Sequence, residues 1–124
     1  MILCRDYNEE KKLDRVWYQS SSIFYSECED RLNELKVLRV VFNNGSTYQY
    51  NDVDVNDYVM FVHGGLDGSN GKALNKFIKP KCEFIKLDNS NKEMLTEEMN
   101  NIIEKRNKEK EQEISDNNQD FNQT

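Results

Sequence analysis

The 124-residue chain has one proline, one histidine, one tryptophan and five glycines. No apolar run approaches the ~18–20 residues that a membrane-spanning helix needs. Its three cysteines, Cys4, Cys28 and Cys82, are odd in number and irregularly spaced, and no CxxC occurs. With His63 the only histidine, the sequence offers no zinc site, no disulfide framework and no cofactor motif. The expectation is a cytoplasmic protein (host cytoplasm if phage-encoded) whose cysteines are small buried side chains. The opening MILCRDYNEEKK turns charged after four residues and has no apolar core, unlike a secretory leader. Positive charge is also short: 17 Lys and Arg face 23 Asp and Glu, a net charge of −6 that argues against a sequence-blind DNA binder.

Catalytic signatures are missing too. No serine sits in a GxSxG elbow, and HEXXH, Walker-type and EF-hand patterns are absent. The stretch GLDGSNGK looks loosely like a phosphate loop but lacks its spacing and a following Ser or Thr. His63 precedes two glycines, a position that suits the end of a helix better than a general base. A non-enzymatic protein is expected.

What is present is an α+β pattern. Residues 1–14 read as a frayed lead-in. Val16–Tyr18 and Ile23–Tyr25, separated by three serines, read as short strands. Val37–Phe42 and Thr47–Tyr50 flank Asn44-Gly45, the strongest hairpin signal in the chain. Asp54 can cap a short helix carrying Tyr58, Val59 and Val62 at helical spacing, and His63-Gly64-Gly65 ends it. Ala73, Leu74, Phe77 and Ile78 mark one face of a second short helix that stops before Pro80. Cys82–Leu87 alternates as a strand. Ser90 with Glu93 forms a capping-box pattern for a long C-terminal helix over residues 89–114, and 115–124 read as a disordered tail. The expected organisation is a small antiparallel sheet domain over 15–88 with short helices, followed by that long α-helix.

Two charge patterns bear on function. Lys72, Lys76, Lys79, Lys81 and Lys86 face Glu83 alone, a local charge of +4 in an acidic chain that suits phosphate groups. Tyr48, Tyr50 and Phe77 are near in sequence and could stack on a base, or could be core. On the terminal helix, the apolar stripe Leu95, Met99, Ile102 and Ile103 continues as Arg106 and Lys110, four residues apart. Such a face meets water, carboxylates or phosphate, and a helix that outruns its domain invites homo-oligomerisation.

The stretch from Val16 to Leu87 resembles the KTSC domain, a module found at the C-terminus of some lysyl-tRNA synthetases and as free-standing small proteins. Ser22-Ile23, FNNGSTYQY with its Tyr48/Tyr50 pair, DVNDY, and SNGK…FIK (Ser69, Gly71, Lys72, Phe77, Ile78) carry the likeness. It implies an RNA-binding role, one that has been suggested for the family. The overall plan, a small β-rich domain before a charged helix, is also similar to phage anti-Thoeris proteins. Those sequester cyclic ADP-ribose isomers, and in some members cyclic oligonucleotides, without degrading them. That likeness implies anti-defence nucleotide binding at a subunit interface formed through the C-terminal helix. Its residues would be Arg106, Lys110, Asn89 and Phe77, with Tyr50 and Lys79 added from the lysine–aromatic region. The readings to be weighed are therefore a small-nucleotide sponge, an RNA-binding module (tRNA or single-stranded RNA), and a protein–protein adaptor acting through the helix.

Overall fold

The structure, a computed structural model, describes residues 1–30 and 35–122, with side chains described up to Glu111. Residues 1–91 form one compact unit and 92–124 a second. The first contains a six-stranded antiparallel sheet in sequential order: β1 (Ile2–Asn8), β2 (Leu13–Tyr18), β3 (Ile23–Asp30), β4 (Lys36–Phe42), β5 (Thr47–Val53) and β6 (Phe84–Leu87). Between β5 and β6 the chain forms α1 (Val55–Val62), then α2 (Asn70–Ala73), which runs into a π-helical turn at Leu74–Ile78.

Alternation along the strands gives the sheet two chemically different faces. One carries Val16, Tyr18, Cys28, Leu38, Val40 and Tyr50, which form a single core with Tyr58, Phe61 and Val62 of α1 and with Leu74 and Ile78. Phe42 and Tyr48 pack partly buried against that core. The opposite face holds Trp17 and Tyr25, rings 5.0 Å apart, with the Arg15 guanidinium 4.8 Å above the indole. Across this face Arg39 bridges Glu27 and Glu29.

The hairpin at Asn44-Gly45 forms as the sequence predicts. Gly45 sits at φ +88°, and its N–H donates to the Phe42 carbonyl. The Asp54 carboxylate accepts the Asn56 N–H at 2.8 Å and starts α1. The buried side of α1 is Tyr58, Phe61 and Val62, whereas Val59 of the expected stripe is exposed: at 3.6 residues per turn it falls beyond the contact face. Residues 2–8, where the sequence predicts a frayed lead-in, form β1 instead. The strand is hard to read because it is an edge strand with charges at Arg5 and Asp6 and a bulge between Ile2 and Cys4.

Ser90 does not cap the terminal helix, which begins at Lys92. Its hydroxyl lies 2.7 Å from the Thr47 hydroxyl and its N–H donates to the Gly45 carbonyl, which ties the connector to the hairpin turn. The second unit is α3 (Lys92–Asn122), with Leu95, Met99 and Ile102 along one side. Its backbone is helical across most of the stretch expected as a tail, 115–124; residues 123–124 and the side chains after Glu111 lie outside the described residues. Among the described residues no helix is long and apolar enough to cross a membrane.

Candidate functional site

The hairpin carries one wall of a groove of about 460 Å³. Tyr48 and Tyr50, two apart on β5, point to the same side of the sheet. β6 adds its own alternation, setting Lys86 opposite Tyr48 and Phe84 opposite Tyr50 on that side. Phe42 closes the row from β4: its ring lies edge-on to Tyr48 at 5.7 Å, and Phe84 lies 5.9 Å from Tyr48 and 6.2 Å from Tyr50. The turn residues Asn44 and Ser46 complete the rim.

Lys79 reaches the groove from the end of the π-helical turn, its ammonium 5.8 Å from the Phe42 ring centre. Of the five lysines in this region, Lys81 is paired with Asp57 at 3.2 Å. Lys79 and Lys86 have no carboxylate within ion-pair reach among the described residues. The aromatic groups differ in depth. Tyr50 is buried, and burial pushes its phenol up to about 12, so it lines the floor as a neutral ring. Tyr48 is half-buried and Phe84 is mostly exposed, so both present ring surface to solvent. Chemically the groove offers flat apolar surface, the Lys79 ammonium and short polar groups at one end, with Lys86 on the same side of the sheet. Those are the components that hold a ring system bearing an anionic group.

The sequence-derived residues separate. Tyr50 and Lys79 line the groove. Phe77 is not among the lining residues; it packs toward Gly65, with Lys76 over its ring at 5.4 Å. Asn89 lies exposed in the connector before α3. Arg106 and Lys110 are exposed and one turn apart on α3, within the second unit. His63 caps the end of α1 and is exposed. Sequence reasoning named Lys86 within the lysine cluster but missed Phe42, Asn44, Ser46 and Phe84. The available signal was the alternation in Cys82–Leu87, which puts Phe84 and Lys86 on one side of a strand.

A second cavity, about 290 Å³, lies where β1, β2, β3, β4 and α1 supply Arg5, Asp14, Asp30, Lys36 and Tyr58. Asp14, 9% exposed, accepts two hydrogen bonds from the Arg5 guanidinium at 2.7 and 3.0 Å and one from the Tyr58 hydroxyl at 2.6 Å. Lys36 pairs with Asp30 beside it. These charges are matched to one another, so the cluster reads as a polar clamp between the sheet edge and α1. Asp14→Ala is expected to cost about 2–4 kcal/mol, because it leaves the Tyr58 hydroxyl and part of a guanidinium unpaired. Tyr58→Phe, which removes one donor and leaves the ion pair, is expected to cost about 1 kcal/mol. Equal losses in urea unfolding would reject the clamp.

Residues 33–82 match the family model of the KTSC domain. The match spans β4, β5, α1, α2 and the π-helical turn. It includes Phe42, Tyr48, Tyr50 and Lys79 of the groove, while Phe84 lies outside it. No curated protein matches the chain.

Proposed function

We propose that this chain is a non-enzymatic binding protein that holds a small anionic nucleotide in the hairpin groove. The observation that carries the reading is the convergence of Phe42, Tyr48 and Phe84 with Lys79 around one opening, with Lys86 beside Tyr48 on the same side of the sheet. A base stacks on the exposed tyrosine and phenylalanine rings, and phosphate meets the two ammonium groups. The volume suits one nucleotide, or one half of a cyclic dinucleotide, and not a duplex. Overall acidity favours a short ligand: a long polyanion experiences the −6 field over more surface than the groove covers.

In this role the protein sequesters its ligand, as an anti-defence sponge for a cyclic nucleotide signal would, and releases it unchanged. Arg106 and Lys110 form a separate cation pair on α3, in the second unit. The competing reading, single-stranded RNA, is favoured by one feature: β6 is an edge strand, so a chain could continue past the groove. Ligand length separates the two.

Calorimetric titration with cyclic ADP-ribose isomers, cyclic di- and trinucleotides and an eight-nucleotide RNA, followed by chromatography of heat-released ligand, is the test. A cyclic compound that binds more tightly than the RNA and is recovered intact is expected. Tyr48→Ala should weaken it by roughly 5- to 100-fold through lost stacking. Lys79→Ala should weaken it less and flatten its salt dependence. Arg106→Ala with Lys110→Ala weakens binding only if α3 takes part. Unchanged affinity in Tyr48→Ala would sink the groove assignment, and binding that grows with RNA length would replace the small-ligand reading.

A further inference from the structure

The open edge of β6 carries a self-complementary pattern. The Asn51 N–H donates to the Glu83 carbonyl, and the register continues through Tyr50↔Phe84, Gln49↔Ile85 and Tyr48↔Lys86. Hydrogen-bonded pairs alternate with non-bonded ones in an antiparallel ladder, so Ile85 spends its N–H and C=O on Gln49. Phe84 and Lys86 therefore direct theirs outward, along an edge to which no strand is paired among the described residues. The same two residues put their side chains on the groove side of the sheet, where Phe84 lines the groove.

We propose that a second copy of this chain pairs antiparallel along β6, in the register that sets Phe84 opposite the partner's Lys86. In that register both outward-directed residues form hydrogen-bonded pairs, and Ile85 meets the partner's Ile85 at the two-fold axis. Each Lys86 ammonium reaches the partner's Phe84 ring, a cation against an aromatic face. The two sheets become continuous, and each groove is extended by the partner's Lys86 and Phe84, so the partner contributes residues to the site.

The edge chemistry supports this choice. Phe84 and Ile85 are 61% and 51% exposed on a strand with no proline, and one lysine is the only charge between Phe84 and Leu87. The other free edge, β1, is bulged and carries Arg5 and Asp6 at its centre, features that block strand addition. Four residues bury far less than the ~800 Å² per partner of a stable interface, so this dimer is weak by itself. The two Lys86 side chains lie on one face near the axis, where an anion between them strengthens pairing. Pairing and nucleotide binding are thus linked, and each tightens the other. The linkage rests on the groove reading; the pairing does not.

Sedimentation equilibrium without ligand, up to millimolar protein, is expected to show a monomer–dimer equilibrium, shifted toward dimer by cyclic di-AMP. Ile85→Lys changes a half-exposed side chain outside the groove and should give a folded monomer. Ile85→Cys, with Cys82→Ser, should form an intermolecular disulfide under mild oxidation, because the non-bonded pair holds its Cβ atoms about 4.5–5.5 Å apart. A wild-type chain monomeric at every concentration, a dimer persisting in Ile85→Lys, or an Ile85→Cys chain that does not cross-link overturns the pairing. A dimer of wild type that ignores all nucleotides while Ile85→Lys is monomeric keeps the pairing and rejects the groove reading instead.

Discussion

Raising the pH from 8 to about 11 is expected to unfold the chain cooperatively. Tyr18, Tyr25, Tyr50 and Tyr58 are each at most 4% exposed, and burial is the main cause that pushes every one of their phenols above 10.0, Tyr50 to about 12. Burial likewise pushes the Cys28 thiol from 9.0 to about 12. In each case the folded state holds its proton to a higher pH than the unfolded chain does. The stabilisation is therefore complete below the unfolded-state values and is lost as the pH climbs from about 9 for the thiol and 10 for the phenols. Each group removes about 1.4 kcal/mol per pH unit above that point. By pH 11 the sum is on the order of 5–8 kcal/mol, as large as the whole stability of many domains this size. Far-UV circular dichroism and phenolate absorbance at 295 nm, followed together, should change at one midpoint for these four tyrosines. Their ionisation with the circular dichroism intact would reject the account. Tyr18→Phe, which removes one titrating group along with its contact to Ser26 at 2.8 Å, should lower the steepness of stability against pH between 10 and 11.

How much of this was legible depended on sequence separation. Asn44-Gly45 and its flanking strands could be read because turn geometry is written in adjacent residues. The same holds for Asp54 as a cap and for Gly64 past the end of α1. β1 could not be read, since its pairing with β2 and the Arg5–Asp14 clamp are set by contacts that no local pattern encodes. Tyr58 joins that clamp from 44 residues away.

The groove shows the same division. Tyr48 and Tyr50 were placed on one face by the two-residue repeat of a strand. Choosing their aromatic companion was beyond the sequence, because Phe77 and Phe84 are both near a lysine. The structure resolves the choice through register: β6 lies beside β5, so Phe84 stands opposite Tyr50, while the helical spacing of Phe77 turns it toward Gly65. Arg106 and Lys110 illustrate the converse case. Their spacing places both on one side of α3, yet spacing within a helix does not say which ligand or neighbour that side meets.

Gly64→Ala is expected to be the most damaging single-methyl change in the first unit, costing about 3 kcal/mol or more. Gly64 sits at φ +79°, where an L-residue already loses roughly 1–2 kcal/mol. An added Cβ would also lie 2.5 Å from the Gly68 carbonyl carbon and 2.8 Å from the Ser69 nitrogen, both backbone atoms that cannot rotate away. The close approach has a purpose. The Ser69 N–H donates to the Gly64 carbonyl at 2.9 Å, folding the loop back on itself. The Asn70 amide then caps α1 by donating to the Phe61 and Val62 carbonyls at 2.8 and 3.0 Å. That junction fixes where α2 starts and hence where Lys79 ends up, nine residues later. Gly68→Ala is the internal control: φ is +71°, but no atom lies within 4 Å of its would-be Cβ, so only the conformational cost of about 1–2 kcal/mol applies. Urea unfolding should separate the two variants clearly, and equal losses would show that the contact with residues 68 and 69 is not what matters. Because Gly64 does not line the groove, nucleotide affinity per folded molecule should survive in Gly64→Ala below the unfolding transition. Lys79→Ala should show the reverse, with stability kept and affinity reduced.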